Sequence, residues 1–197
     1  MMNKNLYRVV GIFVLSMMVC SVGFALDIPD GVTRDPAMSD GALALAQQQF
    51  TMLKQQLTGM AQSPSMPPEQ QTAINGAIAV IEDKLQRLDR VDVYFAAEDT
   101  PGEAYGSVYD FYKNNLSMMQ DVSGDEVEFA VTQVPQGMIP QPTMDSLMAL
   151  LAPDSGYDVK GATGTSGKSR VSILTVYLNP TTFELIKGTT VVIATDK

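Results

Sequence analysis

The hydrophobic period of this chain changes near residue 90, and that change limits the folds open to it. Upstream, Leu43, Ala46, Phe50, Leu53, Leu57 and Met60 recur at spacings of three and four, which is one stripe of a helix. Downstream, Val91-Asp92-Val93-Tyr94-Phe95-Ala96 alternates and is rich in β-branched and aromatic residues, which is the pattern of a strand. A chain with both periods in separate blocks is neither all-helical nor all-β, and α+β is the expected class.

The helical block divides in two. Ser63-Pro64-Ser65-Met66-Pro67-Pro68 cannot continue a helix, because proline lacks the amide hydrogen and its ring clashes with the preceding turn. A second helix is expected from Pro67 or Pro68, with Ile74, Ile78, Ile81, Leu85 and Leu88 as its apolar stripe. So short a connection makes the two helices, over residues 41–90, an antiparallel hairpin. Ser39 or Asp40 is the expected cap of the first helix, after an irregular lead-in over 26–40. Each stripe can pack within the monomer, the reading favoured here, or against a partner or a second copy of the chain.

Residues 91–197 are expected to form a small antiparallel sheet with one or two packed helices. Thr100 and Pro101 read as a cap and first helical residue, and Glu103 is placed to reach back to the cap's amide. That helix carries Tyr105, Val108, Tyr109, Phe111, Tyr112 and Leu116. Strands are expected over 126–134, where Val127, Phe129 and Val131 alternate with Glu126 and Glu128, over 157–162, 169–178 and 189–195, with a short one over 183–186. Thr143 is the expected cap of a short helix ending at Leu151. Asn179-Pro180-Thr181-Thr182 and Lys187-Gly188 read as turns.

Residues 1–25 have the three parts of a secretion signal: Lys4 and Arg8 in front, an apolar run over 9–22, and Gly23-Phe24-Ala25 before Leu26. Cleavage after Ala25 is the expectation; a retained N-terminal anchor and lipidation at Cys20 are the alternatives. Val19 occupies the place where the lipidation signal wants a small residue, after two methionines. Loss of this segment removes Lys4 and Arg8 and no acid, leaving 11 basic against 22 acidic residues and a formal charge of −11, compared with −9 for the whole chain. Such a polyanion repels nucleic acid and anionic lipid, so membrane contact is expected only transiently, through the signal. The sole cysteine departs with the signal and histidine is absent throughout, which removes disulfides, most zinc, copper and haem sites, and every His-dependent catalytic triad. No cofactor is expected.

Val93-Tyr94-Phe95, Asp99-Thr100-Pro101, Val108, Phe111-Tyr112-Lys113 and Leu116 resemble a segment that recurs in exported bacterial proteins of unknown function. There a strand is followed by an Asp-Ser/Thr-Pro helix start, an aromatic helix and a small antiparallel sheet. The resemblance covers about 25 residues; it implies a fold and no activity.

Four groups of residues carry side chains capable of chemistry. Ala162-Thr163-Gly164-Thr165-Ser166-Gly167-Lys168-Ser169 fits a loose phosphate-binding loop, but Arg170-Val171-Ser172-Ile173-Leu174 after it reads as strand, so no helix start would face a nucleotide, and a flexible loop is expected. Asp27, Asp30, Asp35 and Asp40, and Asp121, Asp125, Glu126 and Glu128, are expected on the surface rather than paired for hydrolysis or calcium. Ser166 with Lys168 is the remaining nucleophile–base option. Met118-Met119 and Met144 with Met148 could bind monovalent copper, with core filling the expected role. No residue is assigned a catalytic, cofactor or metal role. The resulting expectation is an exported, periplasmic or secreted binding protein; a carboxylate-dependent hydrolase and a self-associating structural component are the alternatives.

Overall fold

The computed structural model describes residues 26–63, 67–132 and 139–197, with no side-chain detail over 129–132. The expected secretion signal over 1–25 lies outside them, as do residues 64–66 of the helix breaker and residues 133–138. Eleven elements follow one another: β1 (Val32–Asp35), α1 (Pro36–Ala61), α2 (Pro68–Arg87), β2 (Leu88–Ala96), α3 (Tyr105–Asn115), β3 (Ser117–Val122), α4 (Gly124–Thr132), α5 (Gln141–Leu151), β4 (Gly161–Ser166), β5 (Ser169–Leu178) and β6 (Leu185–Asp196). The strands form one six-stranded sheet in the order β1-β2-β6-β5-β4-β3, antiparallel at every step. This is the expected α+β class, a helical hairpin followed by an antiparallel sheet.

Alternation sends neighbouring residues of the central strands to opposite faces. On one face Val91 and Val93 of β2 meet Ala42, Ala46 and Phe50 of α1 and Ile81 of α2, with Leu43, Leu53, Leu57 and Leu85 packed around them. Most of the hairpin stripe thus packs within the monomer, with Met60 at its end exposed, and α2 runs into β2 without a linker. On the other face Val171 and Ile173 of β5 and Val191 and Ile193 of β6 meet Tyr105, Val108 and Tyr112 of α3. The dense aromatics of α3 are core on a sheet, as their spacing implies.

The start of α1 differs from expectation. Residues 32–35 are a strand rather than irregular chain, and Asp35, not Ser39 or Asp40, caps the helix by accepting the Met38 amide at 2.9 Å. Ser39 is fully buried one turn in: its hydroxyl donates to the Asp35 carbonyl at 2.6 Å and accepts the Val93 amide at 3.0 Å, where β1 has run out. A serine inside a helix here extends the sheet's hydrogen bonding into the layer above it.

The expected strand over 126–134 is overturned, because residues 124–132 are helix α4. The local signal is a capping box: Glu126 accepts the Ser123 amide at 2.9 Å, and Ser123 Oγ accepts the Glu126 amide at 3.3 Å. The strand in this region is instead β3, a polar edge strand whose Ser-Met-Met-Gln-Asp-Val sequence carries little β-propensity. The strand expected over 157–162 lies later, at 161–166, so the Gly-Ser-Thr string forms a hairpin rather than a flexible loop. Residues 183–186 and 189–195 merge into β6, and Lys187-Gly188 is a bulge rather than a turn: Leu174 faces Thr190, yet Val176 faces Lys187. The helix read from Thr100 begins at Tyr105, after a turn. Glu103 still reaches back as expected, accepting the Thr100 amide at 3.0 Å. Thr143 is no cap; its hydroxyl donates to the Phe183 carbonyl at 2.8 Å.

Phe50 is 3% exposed at the centre of the hairpin-side core. Phe50→Ala is expected to cost about 3–5 kcal/mol in a denaturant titration, through lost burial and the cavity left behind.

Candidate functional site

The structure disperses the groups singled out in the sequence. Asp27, Asp30, Asp40, Asp121, Asp125, Glu126 and Glu128 are exposed, and Asp35 is the cap of α1. Among the described residues no group of three or more Asp or Glu is placed to hold a metal ion. Ser166 closes β4, whereas Lys168 Nζ donates to the Lys197 carbonyl at 2.6 Å, so the two do not form a nucleophile–base pair. Met118 is 74% exposed with φ of +52°, while Met119 turns into the α3-side core, which separates their sulfurs. Met144 and Met148 lie half-buried on α5.

Two carboxylates that sequence reasoning passed over, the buried Asp92 and the half-buried Glu98, are both occupied. Asp92 on β2 is 3% exposed; Arg34 Nε of β1 reaches its Oδ1 and Arg90 Nε reaches its Oδ2, each at 2.6 Å. The pair of guanidiniums compensates a charge that would otherwise be costly in the sheet. Glu98, in the loop before α3, accepts the Gly102 amide at 2.9 Å, the Ala104 amide at 3.0 Å, the Thr189 amide at 2.8 Å and the Thr189 hydroxyl at 3.0 Å. Burial pulls its pKa upward, but those donors outweigh burial and the net displacement is below the ordinary 4.5. Gly188 makes room for it: a Cβ there would lie 2.7 Å from Glu98 Oε1, and its φ of +140° suits glycine. Next to it the Tyr157 hydroxyl accepts the Gly188 amide at 3.2 Å and donates to the Thr175 carbonyl, and Thr175 Oγ1 accepts the Lys160 amide at 2.9 Å. This knot sutures the 98–104 loop and the 157–160 segment to the bulge between β5 and β6. Its bonding capacity is filled, which marks a structural role.

A binding centre needs polar capacity that folding has left unmet. Buried and without a hydrogen-bond partner are Tyr112 Oη, Thr163 Oγ1, Arg170 Nε and Nη1, and Thr190 Oγ1. Three of these four residues share a surface. Register puts Thr165 opposite Arg170, Thr163 opposite Ser172, and Leu174 opposite Thr190. With Val192 and Ala194 directed to the hairpin side, alternation places Thr163, Thr165, Arg170, Ser172 and Thr190 on that side too. Arg170 is 8% exposed, Ser172 7% and Thr165 9%. Burial pushes the Arg170 pKa down to about 10, with no acid acting on it, so at neutral pH it remains a cation inside the protein.

No family model, curated protein or solved structure matches the chain. Sequence reasoning passed over Arg170 because a lone arginine in an alternating strand reads as a solvent-facing residue. Only the strand order reveals its setting: Arg170 falls in register with Thr163, Thr165 and Ser172, a polar row on strands whose other row is apolar.

Glu98→Gln puts an amide NH₂ against two donors and is expected to cost about 1–3 kcal/mol at pH 7 in equilibrium unfolding. Because the folded pKa of Glu98 is lowered, its contribution is present above pH 4.5 and is lost as pH falls below that value, so the gap between wild type and variant closes on acidification. Arg170→Met, which keeps the side-chain volume and removes an uncompensated charge, is expected to raise stability by at least about 1 kcal/mol in the same measurement.

Proposed function

We propose that this is an exported binding protein of the cell envelope, acting by recognition rather than by chemistry on a substrate. The observation that carries the reading is the contrast between its buried and half-buried polar groups. The carboxylates Asp92 and Glu98, which could have served a hydrolase, are saturated by partners, whereas Arg170 and its hydroxyl neighbours keep donors unused. A hydrolytic pair requires two carboxylates facing one cleft with lone pairs free, and the self-associating alternative requires an apolar hairpin stripe left open. Most of the stripe of α1 packs into the monomer's core here, with Met60 at its end left exposed. Export rests on the basic, apolar and small-residue parts of residues 1–25 and on the chain's tolerance of an oxidising compartment, since no cysteine follows residue 20. No helix among the described residues is long and apolar enough to cross a membrane.

Fractionation of the host followed by N-terminal sequencing is expected to recover the protein outside the cytoplasm, beginning at Leu26. The recovered protein is then dialysed into buffer and challenged with fractions of small envelope solutes while its melting temperature is followed. A fraction that raises the melting temperature and is retained on the protein supports recognition. Turnover of a glycan or peptide panel, with no fraction retained, would sink the binding reading in favour of the hydrolase.

A further inference from the structure

We infer that the hairpin-side face of β4 and β5 is a binding site for a single carboxylate group, with Arg170 as its counter-charge and Thr163 as a neutral hydrogen-bond donor. The inference rests on the binding reading above and names the ligand chemistry. A buried cation without a partner is costly, and a fold that keeps one has a use for it or an ion to complete it. That ion does not come from this chain. Every Asp and Glu of the sequence lies among the described residues, and none pairs with Arg170. Asp196, next along the same face, is engaged by Lys84 at 3.5 Å. The counter-ion must therefore arrive from outside.

Charge and shape narrow its identity. One buried guanidinium balances one negative charge, so a monoanion leaves the face neutral whereas a phosphate dianion leaves it negative inside a protein of formal charge −9. The planar fork of arginine matches the two oxygens of a carboxylate. Thr163 stands diagonal to Arg170 across β4 and β5, a separation of about 7–8 Å that an arginine side chain spans. One carboxylate between them can accept from one edge of the guanidinium and from Thr163 Oγ1, which meets one of the two unpartnered nitrogens of Arg170 together with the hydroxyl of Thr163. Ser172 and Thr165 add hydroxyls beside it on the same face. Two sources offer this group: a free small acid, and the C-terminus of a peptide.

The test uses the purified protein and its melting temperature at constant ionic strength. The probes are acetate, an N-acetylated dipeptide with a free C-terminus and the same dipeptide amidated, with chloride and phosphate as competing anions. Acetate is expected to raise the melting temperature progressively, as a ligand of the native state does, and chloride at equal concentration is not. Tighter binding of the free-acid dipeptide than of acetate, with none of the amide, would assign a peptide terminus; equal binding would assign a free small acid. Arg170→Met is expected to abolish the response, and Thr163→Val to weaken it by about tenfold, the loss of one charge-assisted hydrogen bond. Where Arg170→Met does not fold, the guanidinium Nε–H resonance of the wild type, assigned by its absence in Arg170→Lys, is expected to shift with acetate. An equal response in wild type and Arg170→Met, an unshifted Nε–H resonance, or phosphate binding more tightly than every carboxylate overturns the inference. If the carboxylates fail while an envelope solute is still retained, the carboxylate site falls and the binding reading stands; if no solute is retained either, both fall.

Discussion

The structure depends on the two-sided burial of its central strands. β2, β6 and β5 cannot leave either face to water: Val91 and Val93 need the hairpin, while Val171, Ile173, Val191 and Ile193 need α3. Burying both faces of an antiparallel sheet fixes its register, because a slip of one residue would exchange every side chain between the two cores. It also explains why the helical hairpin is not an appendage. The stripes of α1 and α2 supply half of what the sheet must be covered with, and Ser39 joins the layers through the Val93 amide.

Within that frame the bulge at Gly188 is the one place where the ladder of β5 and β6 is broken, and the fold spends its most engaged carboxylate there. Beyond the break the alternation of β5 shifts, which brings Tyr177 to the hairpin side although Val171 and Ile173 lie on the other. Glu98 and Tyr157 collect the amides that the bulge releases, Thr189 and Gly188, and tie them to the turn that starts α3. The position of α3 over its core is thus set from β6 as much as from its own aromatic face. A carboxylate with four donors is rigid and occupied, and that is why acidity and burial alone do not make it reactive.

The sequence was legible where one pattern stood unopposed. The helix stripes, β5 and the apolar part of β6 follow directly from period, and the hairpin follows from its prolines. It misled where two signals competed. Over 126–134 the alternation of Val127, Phe129 and Val131 outweighed Ser123 and Glu126, yet the reciprocal cap they form decides the local structure. β3 has no pattern of its own and exists because β4 offers an edge to pair with. Lys187-Gly188 carries the chemistry of a turn, and a bulge uses the same glycine for a different end. Arg170 and Asp92 were illegible as a matter of principle: a charged residue in a strand reads as exposed, and only the strand order shows that these two lie in the interior of the sheet.

Those two buried charges are handled in opposite ways. Asp92 sits near the β1 edge, where Arg34 of β1 and Arg90 of its own strand close over it and exposed guanidinium surface remains in water. Arg170 sits on β5, flanked by β6 and β4, and the residues directly opposite it, Thr165 and Ala194, carry no charge. Moving an acid into that row would neutralise it at the cost of desolvating a second charge, which often gains nothing. A hydroxyl row leaves the cation incomplete but its surroundings neutral, so an entering anion meets one charge and several donors. The excess of acid over the rest of the chain acts in the same direction: it discourages multivalent anions at long range, while within about 8 Å at physiological salt the local guanidinium prevails. A singly charged group small enough to reach β5 is what such a combination of distant repulsion and local attraction selects.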